Sequence, residues 1–281
     1  MRRIAMLALV LVAAAGCGSG SGGVSLPVIP PAKQYHLTGF EPSGPVRPGR
    51  PVTVKFTVTQ PSGAPLVHYR TGPGPHTGVH LIIVRDDLST IIHQHPPIGP
   101  NGQISQRVVF PAPGPYHVVV DIYPATKGPI YTNFQIAAGI HVRGRYQPQP
   151  IGAFRPVVKD DGYTFRMGHV PRLRVAQAAL IPVTVTDPDG KLAHFTPWYG
   201  ALGHAIFFHQ HNLAYFHTHI CAPGLVGCTS IGSATVSGTS TKPGVLKVGV
   251  LLPQGGTWRL FLQCKVDGHI LTAPYTLKAA N

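Results

Sequence analysis

Acidic side chains are scarce in this chain: nine Asp and Glu stand against 23 Lys and Arg, for a formal net charge of +14. No two of the nine stand out as a general acid/base couple. The sequence also lacks a Gly-x-Ser-x-Gly elbow, a phosphate loop and a dinucleotide fingerprint. Histidines without a nearby nucleophile are poor grounds for an enzyme, so a non-catalytic protein with no catalytic residues is expected. Charged residues are only 11% of the chain and form no basic stripe, which argues against a nucleic-acid partner. Arg143, Arg145, Arg155, Lys159, Arg166, Arg172 and Arg174 gather loosely near the middle of the chain. They suit anionic lipid or cell-wall polymer, or simply give a soluble surface a basic bias.

Long apolar runs are also missing, apart from one at the start. Arg2 and Arg3 precede Ile4 to Ala15, which stops at Ala14-Ala15-Gly16-Cys17. That run is too short to span a bilayer, so residues 1–17 read as a lipoprotein signal peptide, with Cys17 the lipidated residue of a bacterial lipobox. An ordinary signal cleaved near Gly16 is the alternative. Residues 18–33, opening with Gly18 to Gly23, form a flexible tether. The expectation is an exported protein held on the outer face of the cell membrane by its lipid anchor, where an envelope protein would be its partner.

What is abundant is punctuation. The chain has 33 Gly and 30 Pro between short runs rich in Val, Ile, Thr, Tyr and Phe, a pattern of all-β structure. Hydrophobic residues reach 43%, which excludes a disordered chain. The pattern also repeats. Val58-Thr59-Gln60-Pro61-Ser62-Gly63 is matched by Val185-Thr186-Asp187-Pro188-Asp189-Gly190, and Phe110–Tyr116 by Leu252–Trp258. The fold class is therefore all-β, with two tandem immunoglobulin-like or cupredoxin-like β-sandwich domains after the signal peptide. Residues 34–138 are sandwich repeat 1, 139–161 a linker and 162–281 sandwich repeat 2. Phe56, Val58, Ile82, Val84, Val118 and Val120 should fill the first core, and Ile206, Phe208, Leu260 and Leu262 the second.

Within the repeats, His80, His93 and His95 recur as His204, His217 and His219, each set reading His-x12-His-x-His with an offset of 124 residues. Residues i and i+2 of a strand share a face, so His93 pairs with His95 and His217 with His219. His80 and His204 lie on the preceding strand, and whether they face their partners depends on register. Three converging imidazoles in each repeat would suit Cu(II), Zn(II) or Ni(II); copper leads on intrinsic affinity, with zinc the alternative. Asp86, Asp87 and Asp121 are the nearby carboxylates that could orient such ligands, and His209, His211, Cys221 and Cys264 are extra donors in repeat 2. The competing account leaves these histidines structural, in a non-catalytic surface adhesion or assembly module.

With Cys17 lipidated, Cys221, Cys228 and Cys264 are an odd set. A disulfide within Cys221–Cys228, or one from this insertion to Cys264, is expected, with the third thiol left over. A free thiolate beside the imidazoles, giving a mixed nitrogen and sulfur site, is the sharper alternative.

The stretches Val79–Leu88, His93-Gln94-His95-Pro96 and Phe110–Tyr116, with their echoes at Tyr199–His204, Leu213–His219 and Trp258–Gln263, resemble poorly characterised bacterial exported proteins. That group is similar to YtkA-like and other small cupredoxin-like or immunoglobulin-like envelope domains, some associated with copper handling. The resemblance implies metal buffering, delivery or sensing at the cell surface. Repeat 2 departs from it where Ile220-Cys221 stands in place of a proline after His-x-His.

Overall fold

The computed structural model describes residues 34–125, 133–169, 171–224 and 236–281. Cys17, Cys228 and the 18–33 tether lie outside them. No helix of the described residues is long and apolar enough to cross a membrane.

The described chain is all-β. Repeat 1 carries β1 (His36–Glu41), β2 (Pro51–Thr59), β3 (Val79–Arg85), β4 (Ile91–Gln94), β5 (Gln103–Val109), β6 (Gly114–Ile122) and β7 (Phe134–Val142). A three-stranded sheet, β1-β2-β5, faces a four-stranded one, β4-β3-β6-β7. Between them lie Val54, Phe56, Val58, Leu81, Ile83, Ile104, Phe110, Val118 and Val120, all buried. Alternation in Pro51–Thr59 dictates this, because Val54, Phe56 and Val58 fall on one side of β2. β7 continues four residues past Ala138, into the segment expected to be linker.

The rest of the chain carries β8 (Val157–Asp160), β9 (Tyr163–Arg166), β10 (Leu173–Arg174), β11 (Ala179–Thr186), β12 (Phe195–Thr196), β13 (Gly203–His209), β14 (Tyr215–Cys221), β15 (Gly238–Lys242), β16 (Val245–Val250), β17 (Gly256–Val266) and β18 (His269–Ala280). These join in one eleven-stranded sheet of order β10-β18-β17-β13-β14-β15-β16-β11-β9-β8, with β12 against β17. The sheet folds over a single core in which Phe165, Val183 and Val248 meet Phe207, Leu260, Leu262 and Leu271. The parallel pairing of β14 with β15, at Ile220 with Gly238 and Cys221 with Thr239, lets the two layers of this sandwich read as one sheet.

Strands β3, β4, β6 and β7 correspond to β13, β14, β17 and β18. Ile82 pairs with His93 and with Val119, as Ile206 pairs with His217 and with Phe261. Every residue of β3 and of β13 is buried. One side of each strand packs into its own sandwich. The other carries Ile82 and Val84, or Ile206 and Phe208, and these join Leu88, Val119 and Phe261 in a separate apolar cluster between the repeats. Ile82, Val84, Ile206 and Phe208 are thus core residues of the junction, not of the sandwiches to which the sequence assigned them. Strand alternation is the reason: they are one residue out of phase with Leu81, Ile83 and Phe207.

The linker is pinned to both repeats. Asp87 accepts from the Arg85 guanidinium at 2.6 Å, from the Ser89 hydroxyl at 2.6 Å and from the Gln149 backbone amide at 2.8 Å. Downstream, the Ile151 carbonyl accepts from Arg259 at 2.6 Å and from Thr276 at 3.0 Å, and the Ile151 side chain packs on the junction cluster. The junction of the repeats is therefore held at its base by charge-assisted hydrogen bonds as well as by apolar burial.

Candidate metal centre at the junction of the repeats

Register settles where the histidines point. His204 sits opposite His219 in the β13–β14 pair, and His80 and His95 stack with ring centroids 4.0 Å apart. Each first histidine therefore faces its own His-x-His pair. Rings of the two sets also contact one another across the junction, so the structure joins them in one site where the sequence suggested two.

The contacts across the repeats are as close as those within them. His80 is 5.4 Å from His217 and 5.8 Å from His219, while His204 is 4.8 Å from His93 and 6.1 Å from His95, centroid to centroid. Three groups bring their potential ligand atoms within 4.8 Å of one another: His80 with His93 and His95, His80 with His217 and His219, and His93 with His204 and His217. Two of the three mix the repeats. His76, which has no histidine counterpart in repeat 2, joins through an edge contact with His219 at 4.7 Å.

Hydrogen bonds at the rim fix which nitrogen of each ring keeps its lone pair. His80 donates from Nε2 to the Pro75 carbonyl at 2.7 Å, and His204 from Nε2 to the Trp198 carbonyl at 2.9 Å. His93 donates from Nδ1 to Gln263 Oε1 at 3.0 Å. The Tyr215 hydroxyl donates to Asp121 and so accepts from His217 Nδ1 at 3.0 Å. A neutral imidazole has one N–H, so the lone pairs left are on Nδ1 of His80 and His204 and on Nε2 of His93 and His217. These atoms face the interior. His204 Nδ1 and His217 Nε2 stand 3.4 Å apart, and His93 Nε2 is 3.1 Å from His95 Nε2. His80 Nδ1, both nitrogens of His219 and His76 Nε2 are buried without a hydrogen-bond partner.

Burial keeps the rings neutral. His76 and His204 are pushed down to about 4 and His80 to about 3, chiefly by desolvation. His93, His95, His217 and His219 fall well below the ordinary value for the same cause, with repulsion from neighbouring rings added. Neutral imidazole is the metal-binding form.

The outer shell crosses the junction. Asp121 lies opposite His80 in the β3–β6 register, as Gln263 lies opposite His204 in the β13–β17 register, so the two are repeat counterparts. Gln263 orients His93 of the other repeat directly, whereas Asp121 orients His217 through Tyr215. Asp121 is buried, held by Asn133 at 2.7 Å, and desolvation raises it to about 7. Above the cluster, Tyr199 stacks on His95 at 3.9 Å and Trp198 on Tyr199 at 4.5 Å.

The other expected donors lie elsewhere. Asp87 and Asp86 sit at the far end of β3, in the hairpin turn, Asp87 tied to Arg85 and Asp86 beside His117. His209 donates to the Gly255 carbonyl at the opposite end of β13, and His211 follows it on the surface. Cys264 is a free thiol buried in the repeat 2 core, one residue out of phase with Gln263, so no mixed nitrogen and sulfur site forms with it. Cys221 is disulfide-bonded. The contributors that sequence reasoning missed are His76, Gln263, Trp198, Tyr199 and Tyr215.

Gly200 closes the top. Its φ is +76°, and a Cβ there would meet Gly74 C at 2.5 Å and Pro75 N at 2.6 Å, in the loop whose carbonyl orients His80. Gly200→Ala is expected to cost about 1–3 kcal/mol through backbone strain and to loosen the cap. Chemical denaturation against wild type measures it; an unchanged midpoint would mean the loops do not touch in solution.

Residues 157–281 match a family described as a domain of unknown function, DUF8832. No curated protein matches the chain. Among solved structures, the chain is similar to invasin, a bacterial integrin-binding protein, at 17% identity over 88% of this chain and 38% of that one, with a TM-score of 0.22. A putative membrane anchored protein from Corynebacterium diphtheriae gives 11% identity over 89% and 59%, with a TM-score of 0.26. Salmonella alpha-2-macroglobulin gives 13% over 88% and 15%, at 0.22, so this chain spans a small part of that protein.

Proposed function

We propose that this protein is a non-catalytic metal-binding protein of the cell envelope, anchored through a lipidated Cys17, which holds a transition metal between its two repeats. The observation that carries the reading is the orientation of the rings: four imidazoles have their outer nitrogens tied to oxygen acceptors, and their inner lone pairs converge. An oxygen acceptor on the far nitrogen is the usual second shell of a metal-bound histidine. His80, His93, His95, His204, His217 and His219 are the ligand set, and Gln263 and Asp121 its outer support. An all-imidazole set suits copper or zinc, and the affinity order favours copper. Buffering, delivery or sensing of that metal fits an exported location.

A second reading makes the protein an adhesion or assembly module with structural histidines. The carbonyl bonds of His80 and His204 favour it, since they satisfy one nitrogen of each ring without an ion.

Equilibrium dialysis of the purified chain against copper and zinc separates the two. Tight uptake is expected, and a variant with all six ligand histidines changed to alanine should lose it. Equal uptake by wild type and variant, or none by either, would leave the assembly module as the function.

A further inference from the structure

The sites at the junction have a symmetry that one ion does not use. Exchange of the repeats carries His80 onto His204, His93 onto His217 and His95 onto His219. The group His80, His217 and His219 has its ligand atoms within 4.8 Å of one another. The exchange carries it onto His204, His93 and His95, of which His93 and His204 have ligand atoms that close to one another and to His217. The distances follow. Within the first group the ring centroids are 5.4, 5.8 and 4.4 Å apart. The corresponding separations in the second are 4.8, 6.1 and 5.0 Å.

We propose that the junction holds two metal ions, each bound by the first histidine of one repeat and the His-x-His pair of the other. His80, His217 and His219 make one site; His204, His93 and His95 make its counterpart. This rests on the metal-binding reading above and goes beyond it in number, ligand partition and charge.

Donor count supports two ions. A single ion in a tetrahedral or tetragonal shell uses about four imidazoles, which leaves the other lone pairs buried and unmet. Each buried unmet acceptor costs about 1–3 kcal/mol. Two three-nitrogen sites use all six rings, and in this partition each site draws on both repeats.

Charge selects the ion. Imidazole donors bring no negative charge to an ion, and Asp121 is the buried carboxylate beside them. The cost of burying an ion rises with the square of its charge, so two divalent ions at this distance would be opposed by desolvation and by mutual repulsion. Two monovalent copper ions carry half that charge. Imidazole is a copper ligand, and these sites supply three donors each without a thiolate.

The test is the stoichiometry of Cu(I) on the detergent-solubilised full chain, titrated without oxygen against a competing chelator and checked by metal analysis. About two equivalents are expected, falling to about one in His204→Ala and about one in His219→Ala, because each variant spares the opposite site. Circular dichroism confirms that the variants remain folded; the wild-type stoichiometry stands whether or not they do. One equivalent in wild type, or loss of all copper in either single variant, would overturn the two-site partition while leaving metal binding in place. No copper retained by wild type would overturn both.

Discussion

Metal-free protein taken from pH 7.5 towards pH 5 should unfold in one steep step, with a midpoint of about pH 5.5. Seven histidines are held neutral by burial: His76, His80, His93, His95, His204, His217 and His219. In the unfolded chain each would titrate near pH 6.5. Their folded values lie lower, at about 4 for His76 and His204 and about 3 for His80. Between these limits the unfolded chain binds more protons than the folded one, so stability falls as pH falls, starting near 6.5 and continuing to about 4. One unit below 6.5 the loss is about 1.4 kcal/mol per ring, or of order 10 kcal/mol for seven. Asp121 acts in the opposite sense. Its folded value of about 7 means that it holds a proton the unfolded chain gives up above pH 4, which offsets one histidine. The remainder is comparable to the whole stability of an ordinary protein. Tryptophan fluorescence against pH measures this, Trp258 being fully buried and Trp198 capping the cluster. A shallow transition, or one centred below pH 4, would show that the rings are hydrated in solution and not packed as described.

The repeat, the all-β fold and the spacing of both histidine trios are legible in the sequence, because each depends on local pattern. Pro51–Thr59 alternates, and β2 has those bounds. The joining of the trios is not legible, because it depends on a face-to-face packing whose only trace is composition. That trace exists in Leu81-Ile82-Ile83-Val84 and Ala205-Ile206-Phe207-Phe208, which are apolar at both phases of the strand. A strand that is apolar on both sides is covered on both sides, and the second cover here is the other repeat. Asp121 and Gln263 are also matched by the repeat, each five residues after the aromatic of its turn, Tyr116 or Trp258. Their unlike chemistry hides the match. His76 has no such signal, since Gly200 occupies the corresponding place in repeat 2.

Saturating metal should move both the acid midpoint and the thermal midpoint, because an ion that binds only the folded junction stabilises it by mass action. At free metal about 1,000 times the dissociation constant, one ion contributes about 4 kcal/mol and two contribute about 8 kcal/mol. For a unit of this size the first figure corresponds to roughly 8–16 °C in Tm. The same ion competes with protons for the imidazoles, so the acid transition should shift to lower pH and return when a chelator is added. Ligands drawn from both repeats give this effect a particular dependence on sequence. His80→Ala should abolish the stabilisation at its own site although His217 and His219 of repeat 2 are intact. His209→Ala, whose ring is bonded to the Gly255 carbonyl at the far end of β13, should leave the metal-induced shift unchanged even if it lowers the starting Tm. Differential scanning calorimetry with and without metal reads both. A shift of equal size in wild type and in His80→Ala would place the ion within repeat 2 alone and break the link between metal binding and the junction.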